Sequence, residues 1–321
     1  MLDILYVMDP MDGVLVDKDT TFVLQLEAQR REHRNWHCLP RDLSVLDGVA
    51  SARVRPLRVR DQQGAHFELG GMEERPLASF DCVMMRKDPP FDMDYVVATY
   101  ILERTPPSTF VMNHPQGLRD ANEKLFATRF PALMPPSLVS SDKAQIRAFI
   151  EAQGGEAVIK PLDGAGGEGI FYLHAADRNM NVIIETVTVH GRRTAMVQRY
   201  IPDIVTTGDR RVILLDGEPL GVVARLPPRG ELRGNIHVGG RVQKATVTER
   251  EREICHTLAP SLREVGLWFV GIDVIGGFLT EVNVTSPTGI QEINRLDGVC
   301  LERKVMDFVE RHCRDLRSYT P

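Results

Sequence analysis

The stretch Ala157-Val158-Ile159-Lys160-Pro161-Leu162-Asp163-Gly164-Ala165-Gly166-Gly167-Glu168-Gly169-Ile170-Phe171-Tyr172-Leu173 decides the fold. Gly164 to Gly169 matches G-x-G-x-x-G letter for letter, the spacing of a dinucleotide-binding turn. That turn needs a strand before it and a helix opening inside it, because the helix N-terminus holds the pyrophosphate. Ala157 to Pro161 supplies the strand, but Ile170 to Leu173 is β-branched and aromatic and prefers a second strand. The segment therefore reads as strand, glycine loop, strand. That is a hairpin flap, and it counts against a Rossmann oxidoreductase. Glycine leaves nothing on Cα to block close approach, so the N–H groups of the loop can close over phosphate oxygens. A plain flexible turn is the competing reading, and four glycines in six residues favour the phosphate cover. No G-x-x-x-x-G-K-[ST] occurs, which argues against a P-loop nucleotide hydrolase.

Outward from the flap, Lys124 and Lys160 bracket the region. A lysine at a strand end beside such a loop is placed to meet a nucleotide phosphate; on spacing alone, a pair of solvated lysines is the alternative. Nearer the C-terminus, Gly271 to Gly276 and Leu279 to Val284 are strand-like around the short turn Gly276-Gly277-Phe278, which makes a hairpin. Period two puts Glu281 and Asn283 on one face, with Val282 and Val284 on the other. Asp273, on the paired strand, can face the same way. Two carboxylates and an amide oxygen are hard ligands of the kind magnesium takes. An amphipathic hairpin with a solvated polar face is the plainer reading. His and Cys are absent there, so hydrolytic zinc chemistry is not expected.

The first 120 residues alternate strand and helix signals: strands at Ile4 to Met8, Cys82 to Met85 and Phe110 to Asn113, and a helix from Phe22 to Arg31 capped by Thr20 or Thr21. This predicts a βαβ-type lobe with a mostly parallel sheet, whose ligand chemistry sits at the carboxyl ends of its strands, near Asp9-Pro10 and Arg86-Lys87. A helix is expected from Asn122 to Phe130. Pro131, Pro135 and Pro136 then read as a linker, and a helix follows from Asp142 to Gln153, capped by Ser140 or Ser141. Beyond residue 194 short strands dominate: Ala195 to Tyr200, Arg211 to Leu215, Leu220 to Leu226, Phe269 to Ile275 and Leu279 to Val284. The chain thus divides into an α/β lobe (1–121), a central lobe with the flap (122–200) and a largely antiparallel α+β lobe (201–321).

The bulk properties agree. The 321 residues are 43% hydrophobic and 26% charged, as in a folded globular protein. The net charge of −5 and a pI of about 6.0 argue against non-specific nucleic-acid binding. The cysteines, Cys38, Cys82, Cys255, Cys300 and Cys313, are scattered and odd in number, so neither a disulfide framework nor a zinc site is expected, and a reducing cytoplasm is the simplest setting. No run approaches about 18 apolar residues, so no membrane span is expected. The start, Met1 to Leu5, reads as a first strand and not as a signal peptide.

Taken together, Lys124, Lys160, the flap 163–169, Val197-Gln198-Arg199-Tyr200 and the set Asp273, Glu281 and Asn283 resemble an ATP-grasp enzyme. Longer runs are similar to the bacterial glutathione synthetase family: Val7 to Pro10, Met84 to Asp92, Ala98 to Arg104, Leu118 to Lys124, Lys160 to Gly164 and Thr280 to Gly289. Residues 34–75 match less well. The resemblance implies an ATP-grasp fold behind a parallel-sheet (pre-ATP-grasp) lobe. It implies an ATP-dependent ligase that joins γ-glutamylcysteine to glycine through an acyl-phosphate, releasing ADP and phosphate, with Mg²⁺, or Mn²⁺ in its place, on Asp273, Glu281 and Asn283. ATP would lie on Lys124, Lys160 and the flap glycines Gly164, Gly166, Gly167 and Gly169. Its adenine would meet the hinge strand Gln198, Arg199, Tyr200 and Ile201. Arg210 and Arg225 are candidates for the transferring phosphoryl group and the developing oxyanion, with carboxylate pairing as the plainer reading of both. Arg86, Asn283, Ser286, Pro287 and Thr288 would bind the peptide. Residues 226–241, rich in Gly and Pro, would form a mobile lid, and the family is one of homo-oligomers. Two readings stay open: another ATP-grasp carboxylate–amine ligase, and a non-catalytic nucleotide-binding protein.

Overall fold

The computed structural model describes residues 1–228 and 240–319, and within them the strands form three sheets in chain order. The first part of the chain runs β1 (Asp3–Val7), α1 (Thr20–Arg30), β2 (Arg34–Cys38), β3 (Leu43–Leu46), β4 (Val49–Val59), β5 (Phe67–Leu69), β6 (Glu73–Pro76), β7 (Cys82–Met85), α2 (Met93–Leu102), β8 (Phe110–Met112) and α3 (Pro115–Asp120). β1 is parallel to β2 and β7, and β7 to β8, as expected. Every residue of β1 is buried, the mark of a parallel strand covered on both faces. Leu5 and Val7 pack with Tyr95, Leu102 and Leu118 on one side, and Ile4 and Tyr6 with Phe22 and Leu24 on the other.

The weakly matched residues 34–75 extend this sheet with antiparallel strands. β4 pairs with β2, β3, β5 and β6. The cap of α1 is Asp19, whose Oδ1 accepts the Phe22 N–H at 2.7 Å, rather than Thr20 or Thr21. Those two hydroxyls are turned inward, toward residues 86 and 289.

The second sheet holds β9 (Ser137–Ser140), β10 (Glu156–Pro161), β11 (Phe171–His174) and β12 (Ala195–Arg199) in the antiparallel order β11-β10-β12-β9. Helices α4 (Lys143–Ala152) and α5 (Met180–Val187) cover one face, burying Ile146, Ile150 and Ile184 against Ala157, Ile159 and Val197. The cap of α4 is Asp142, which accepts from Gln145 N at 2.7 Å, one or two residues past the serines expected there.

The helix expected from Asn122 to Phe130 is reduced to a single 3₁₀ turn, Phe126–Arg129. Local and tertiary hydrogen bonds displace it. Asn122 Oδ1 accepts the N–H groups of Lys124 and Leu125, and the Glu123 carbonyl accepts from Val282 N.

The third sheet runs β15 (Arg241–Lys244), β14 (Glu218–Leu226), β13 (Asp209–Leu215), β16 (Phe269–Ile275) and β17 (Phe278–Asn283), all antiparallel. Helix α6 (Glu249–Glu264) buries Ile254, Leu258 and Leu262 against Val212, Leu214 and Ile272. On the opposite face Ile213 and Val223 meet Ile290 and Ile293 of α7 (Ile290–Asp297). α8 (Leu301–Tyr319) returns to pack on α1 and β8. Asn113 ties the first sheet to the third: its amide donates to the carbonyls of Phe269 and Val284, and its oxygen accepts from Trp268 and Phe269. Most of the expected lid, 229–239 of 226–241, lies outside the described residues.

Candidate active site

The second and third sheets enclose a cavity of about 460 Å³. Near the hinge its walls are Val158, Tyr172, Ile201, Ile204 and Ile275 beside the polar Gln198, Arg199 and Tyr200; further along it carries Lys124, Lys160, Asp209, Asp273 and Glu281. A ligand with a flat apolar head and an anionic tail fits such a division. The flap 164–172 roofs it. Gly166, Gly167 and Gly169 have φ of +62°, +89° and +70°, where a side chain is strained. At Gly164 a Cβ would come within 2.7 Å of Pro161 Cγ.

The hinge residues Gln198, Arg199, Tyr200 and Ile201 all line the cavity at the end of β12. Gln198 Nε2 donates to Ser137 Oγ at 3.0 Å, which fixes its amide, while Arg199 N donates to Pro136 O.

At the polar end, the hairpin register sets Asp273 opposite Glu281 and Gly271 opposite Asn283, so the three expected ligands share one face. Lys124 and Lys160 place their Nζ atoms 3.5 and 3.7 Å from Glu281 Oε1. Lys124 Nζ also donates to Gly164 O at 2.6 Å and Lys160 Nζ to Thr280 O at 3.3 Å. Burial raises the Glu281 carboxyl, but the two lysines outweigh it and the pKa falls below the usual range. Burial pulls the Lys160 ammonium down against the opposing pull of Glu281.

Arg210 and its neighbour Arg211 part company here. In β13 successive side chains point to opposite faces. Arg210 lies on the α6 side, paired with Glu251 and donating to Thr246 O at 2.8 Å; none of Arg210, Arg211 and Arg225 lines the cavity itself, and Arg211 and Arg225 reach it through Asp273. Arg211 lies on the cleft side and grips Asp273 with two hydrogen bonds, Nε to Oδ1 at 2.5 Å and NH2 to Oδ2 at 2.9 Å. Gly271 makes room for it: a Cβ there would stand 3.1 Å from Arg211 Cδ and from Pro287 Cβ.

Arg225 joins the same face. One NH2 meets Asp273 Oδ1 at 2.8 Å and Asp209 Oδ2 at 2.5 Å. These guanidinium groups overcome burial and hold the Asp273 carboxyl well below the usual range. Burial lifts the Asp209 carboxyl, and the nearby Asp273 charge adds to the rise, against the pull of Arg225. Asp209 Oδ1 and Arg225 Nε are buried without a hydrogen-bond partner.

The expected peptide residues stand beside the cavity without lining it. Arg86, buried, donates to Thr21 Oγ1 at 3.0 Å and to Pro287 O at 3.1 Å. Arg211 NH1 reaches Thr288 O at 3.4 Å, so the same guanidinium touches both the ligand face and the loop 286–289. Asn283 Nδ2 donates to Asp273 Oδ2 at 3.3 Å.

Sequence reasoning missed Arg211 and Asp209. Their shared parity along β13 is a signal, but only once Asp273 fixes which face is the cleft.

For a metal, the donors are hard oxygens, two carboxylates and one amide, and they fit Mg²⁺. Among the described residues no three His, Cys, Asp or Glu side chains cluster to hold an ion by themselves. A cation here therefore needs Asn283 and phosphate oxygens to complete its shell.

Comparisons agree with this geometry. Residues 2–119 match the family described as "Prokaryotic glutathione synthetase, N-terminal domain", and residues 123–298 that described as "Prokaryotic glutathione synthetase, ATP-grasp domain". A glutathione synthetase of Mesorhizobium japonicum is 47% identical over 303 residues, 94% of this chain and 96% of its own. One from Thermosynechococcus vestitus is 47% identical over 318 residues, 96% of this chain and 99% of its own. Among solved structures, the D-cycloserine synthetase DcsG superposes with a TM-score of 0.66 at 17% identity, covering 96% of this chain and 99% of that one. The ATP-grasp ligase PsnB, complexed with a precursor peptide and AMPPNP, gives 0.62 at 16%, covering 97% and 98%. At these identities the two structures establish the ATP-grasp fold.

Proposed function

The chain belongs to the prokaryotic glutathione synthetase family and acts as an ATP-dependent ligase making glutathione, and we propose that the cleft between the second and third sheets carries the reaction with the roles that follow. The observation that carries this reading is a cavity that joins a wall of Val158, Tyr172, Ile201 and Ile275 by the hinge to Lys124, Lys160, Asp273 and Glu281, under a glycine flap.

ATP phosphorylates the free cysteinyl carboxylate of γ-glutamylcysteine. The amine of glycine attacks the acyl-phosphate, and the tetrahedral intermediate expels phosphate. Such a transfer asks mostly for positioning and charge neutralisation. Gln198 to Ile201 seat the adenine, and Lys124, Lys160 and the flap N–H groups hold the phosphates. Arg225, paired with Asp273 and Asp209, is assigned to the transferring phosphoryl group and the developing oxyanion. Arg211 is assigned the role expected of Arg210, supported by its grip on Asp273 and by the pairing of Arg210 with Glu251 on the other face of β13. Asp273, Glu281 and Asn283 would hold Mg²⁺, which supplies charge neutralisation at the phosphates when bound. Arg86 and the loop Ser286, Pro287 and Thr288 position the peptide, with Asn283 at its edge. Water must be kept away, since an acyl-phosphate hydrolyses readily.

The test is to follow ADP and glutathione together with ATP, Mg²⁺, γ-glutamylcysteine and glycine, omitting each in turn. Equal formation of both products, dependent on both substrates and largely lost in Glu281→Gln, is the expected result. ADP release with a different acceptor alone would keep the chemistry and overturn the substrate.

The protein is also proposed to self-associate in the cytoplasm. Met93, Val97 and Tyr100 expose an apolar stripe on α2, and no disulfide links the free cysteines. A monomer in sedimentation velocity at micromolar concentration would remove the first claim. Among the described residues no helix is long and apolar enough to cross a membrane.

A further inference from the structure

Three consecutive residues between the first and second sheets reach in two directions at once. Asn122 Nδ2 donates to Leu162 O at 3.0 Å, and Lys124 Nζ donates to Gly164 O at 2.6 Å, so both hold the base of the flap. Glu123, between them, faces the other way. Its Oε1 accepts from Val284 N at 3.3 Å, Thr285 N at 3.4 Å and Thr285 Oγ1 at 2.9 Å. Its carbonyl accepts from Val282 N at 2.8 Å. One carboxylate oxygen thus gathers two consecutive N–H groups and a hydroxyl at the point where β17 ends and the loop 285–289 begins. Only a cavity of about 20 Å³, room for a single water, separates the two attachments.

We propose that Glu123 is a positioning residue for the peptide subsite, registering the loop Thr285 to Gly289 against the flap base that Asn122 and Lys124 hold. This rests on the reading of Ser286 to Thr288 as the peptide loop. The loop has few other fixings: the Pro287 carbonyl on Arg86, the Thr288 carbonyl on Arg211 and Gly289 N on Thr20 Oγ1. All three lie at or past its midpoint, so Glu123 sets its root. The flap base keeps its attachments through Asn122 and Lys124 when the Glu123 side chain is removed, so the nucleotide side is left in place.

The experiment compares KM for γ-glutamylcysteine with the dissociation constant for ATP measured without peptide. Glu123→Ala is expected to raise the peptide KM about tenfold, the loss of one buried acceptor that serves three donors, and to leave nucleotide binding within about twofold. Glu123→Gln, which keeps an acceptor oxygen in place, is expected to recover most of the loss. Should Glu123→Ala fail to fold, Thr285→Val removes only the hydroxyl donor and is expected to raise the peptide KM about threefold. An unchanged peptide KM overturns the proposal. So does an equal loss of nucleotide affinity, which would make Glu123 merely structural, and so does a Gln variant as impaired as Ala. Ser286→Ala separates the two layers. If it raises the peptide KM and Glu123→Ala does not, this inference alone fails. If neither variant moves it, the reading of the loop as a peptide site fails as well.

Discussion

The ion cluster that joins α1 to α8 and the one on the cleft face of the third sheet use the same residue types to opposite ends. At the helix join, Glu27 is 4% exposed and is held by Arg30 and Arg31 at 2.6 and 2.7 Å. Arg31 goes on to Asp307 and Glu310, and His33 Nε2 lies 2.9 Å from Glu310. The charges there satisfy one another, and the product is a packed helix pair. In the cleft, Asp273 takes two arginines, Asp209 has to share one of them, and Glu281 meets its lysines at distances beyond a hydrogen bond. Buried polar atoms without partners are uncommon in native proteins, and two of them, Asp209 Oδ1 and Arg225 Nε, are here. The helix cluster closes on itself, whereas the cleft cluster keeps unmet hydrogen-bonding capacity next to a cavity that Asp209, Asp273 and Glu281 line.

The largest expected effect sets two neighbours against each other. Arg211→Lys keeps a charge near Asp273 but loses the two-pronged grip, and kcat is expected to fall about 10³-fold, measured as ADP formed per active site. Arg210→Ala is expected to leave kcat within about fivefold. It should lower the melting temperature instead, through loss of about 2 kcal/mol at the buried Glu251. Equal losses of kcat would break the face assignment. Glu281→Gln comes next, with a fall of about 10²-fold in kcat and a higher Mg²⁺ concentration for half the maximal rate. An unchanged Mg²⁺ dependence would separate Glu281 from the metal.

That Arg211, and not Arg210, meets Asp273 shows where sequence reading stops. The shared face of Asp273, Glu281 and Asn283 was legible because Gly276-Gly277 fixes the hairpin and period two then fixes the face. Two adjacent arginines carry no such mark; only pairing with β16 says which one meets Asp273. The glycine flap was legible from the strand that follows it. The helix expected at 122–130 was not, because its would-be backbone bonds are taken by Asn122 and by Val282 of a distant strand. In β4 the signal was present and unread. Ala50, Ala52, Val54, Leu57 and Val59 are buried between arginines, with the alternation shifted by one near Pro56.

A smaller effect probes the cleft from its roof. Gly169 has φ of +70°, and a Cβ there would lie 2.9 Å from Pro161 Cγ. Gly169→Ala is expected to cost the flap about 1 to 2 kcal/mol in its closing geometry. KM for ATP should then rise about tenfold, while the peptide KM stays within about twofold. A peptide KM that rises equally would show that the flap and the loop 285–289 move as one unit.

The smallest effect on activity belongs to the helix join. The Arg30 hydrogen bond, with help from Arg31, lowers the Glu27 carboxyl from its ordinary value to about 2 despite burial. A carboxyl depressed on folding stabilises the native state above its unfolded pKa, and that contribution is lost as pH falls through the folded value. Glu27→Gln is therefore expected to leave kcat at pH 7 within about twofold and to lower stability there. The gap between variant and parent should narrow between the ordinary carboxylate range and about pH 2. Urea midpoints measured across that range read it directly. A gap that stays constant with pH would mean that Glu27 acts by packing and not by charge, and the contrast with the cleft would then rest on the unpartnered atoms alone.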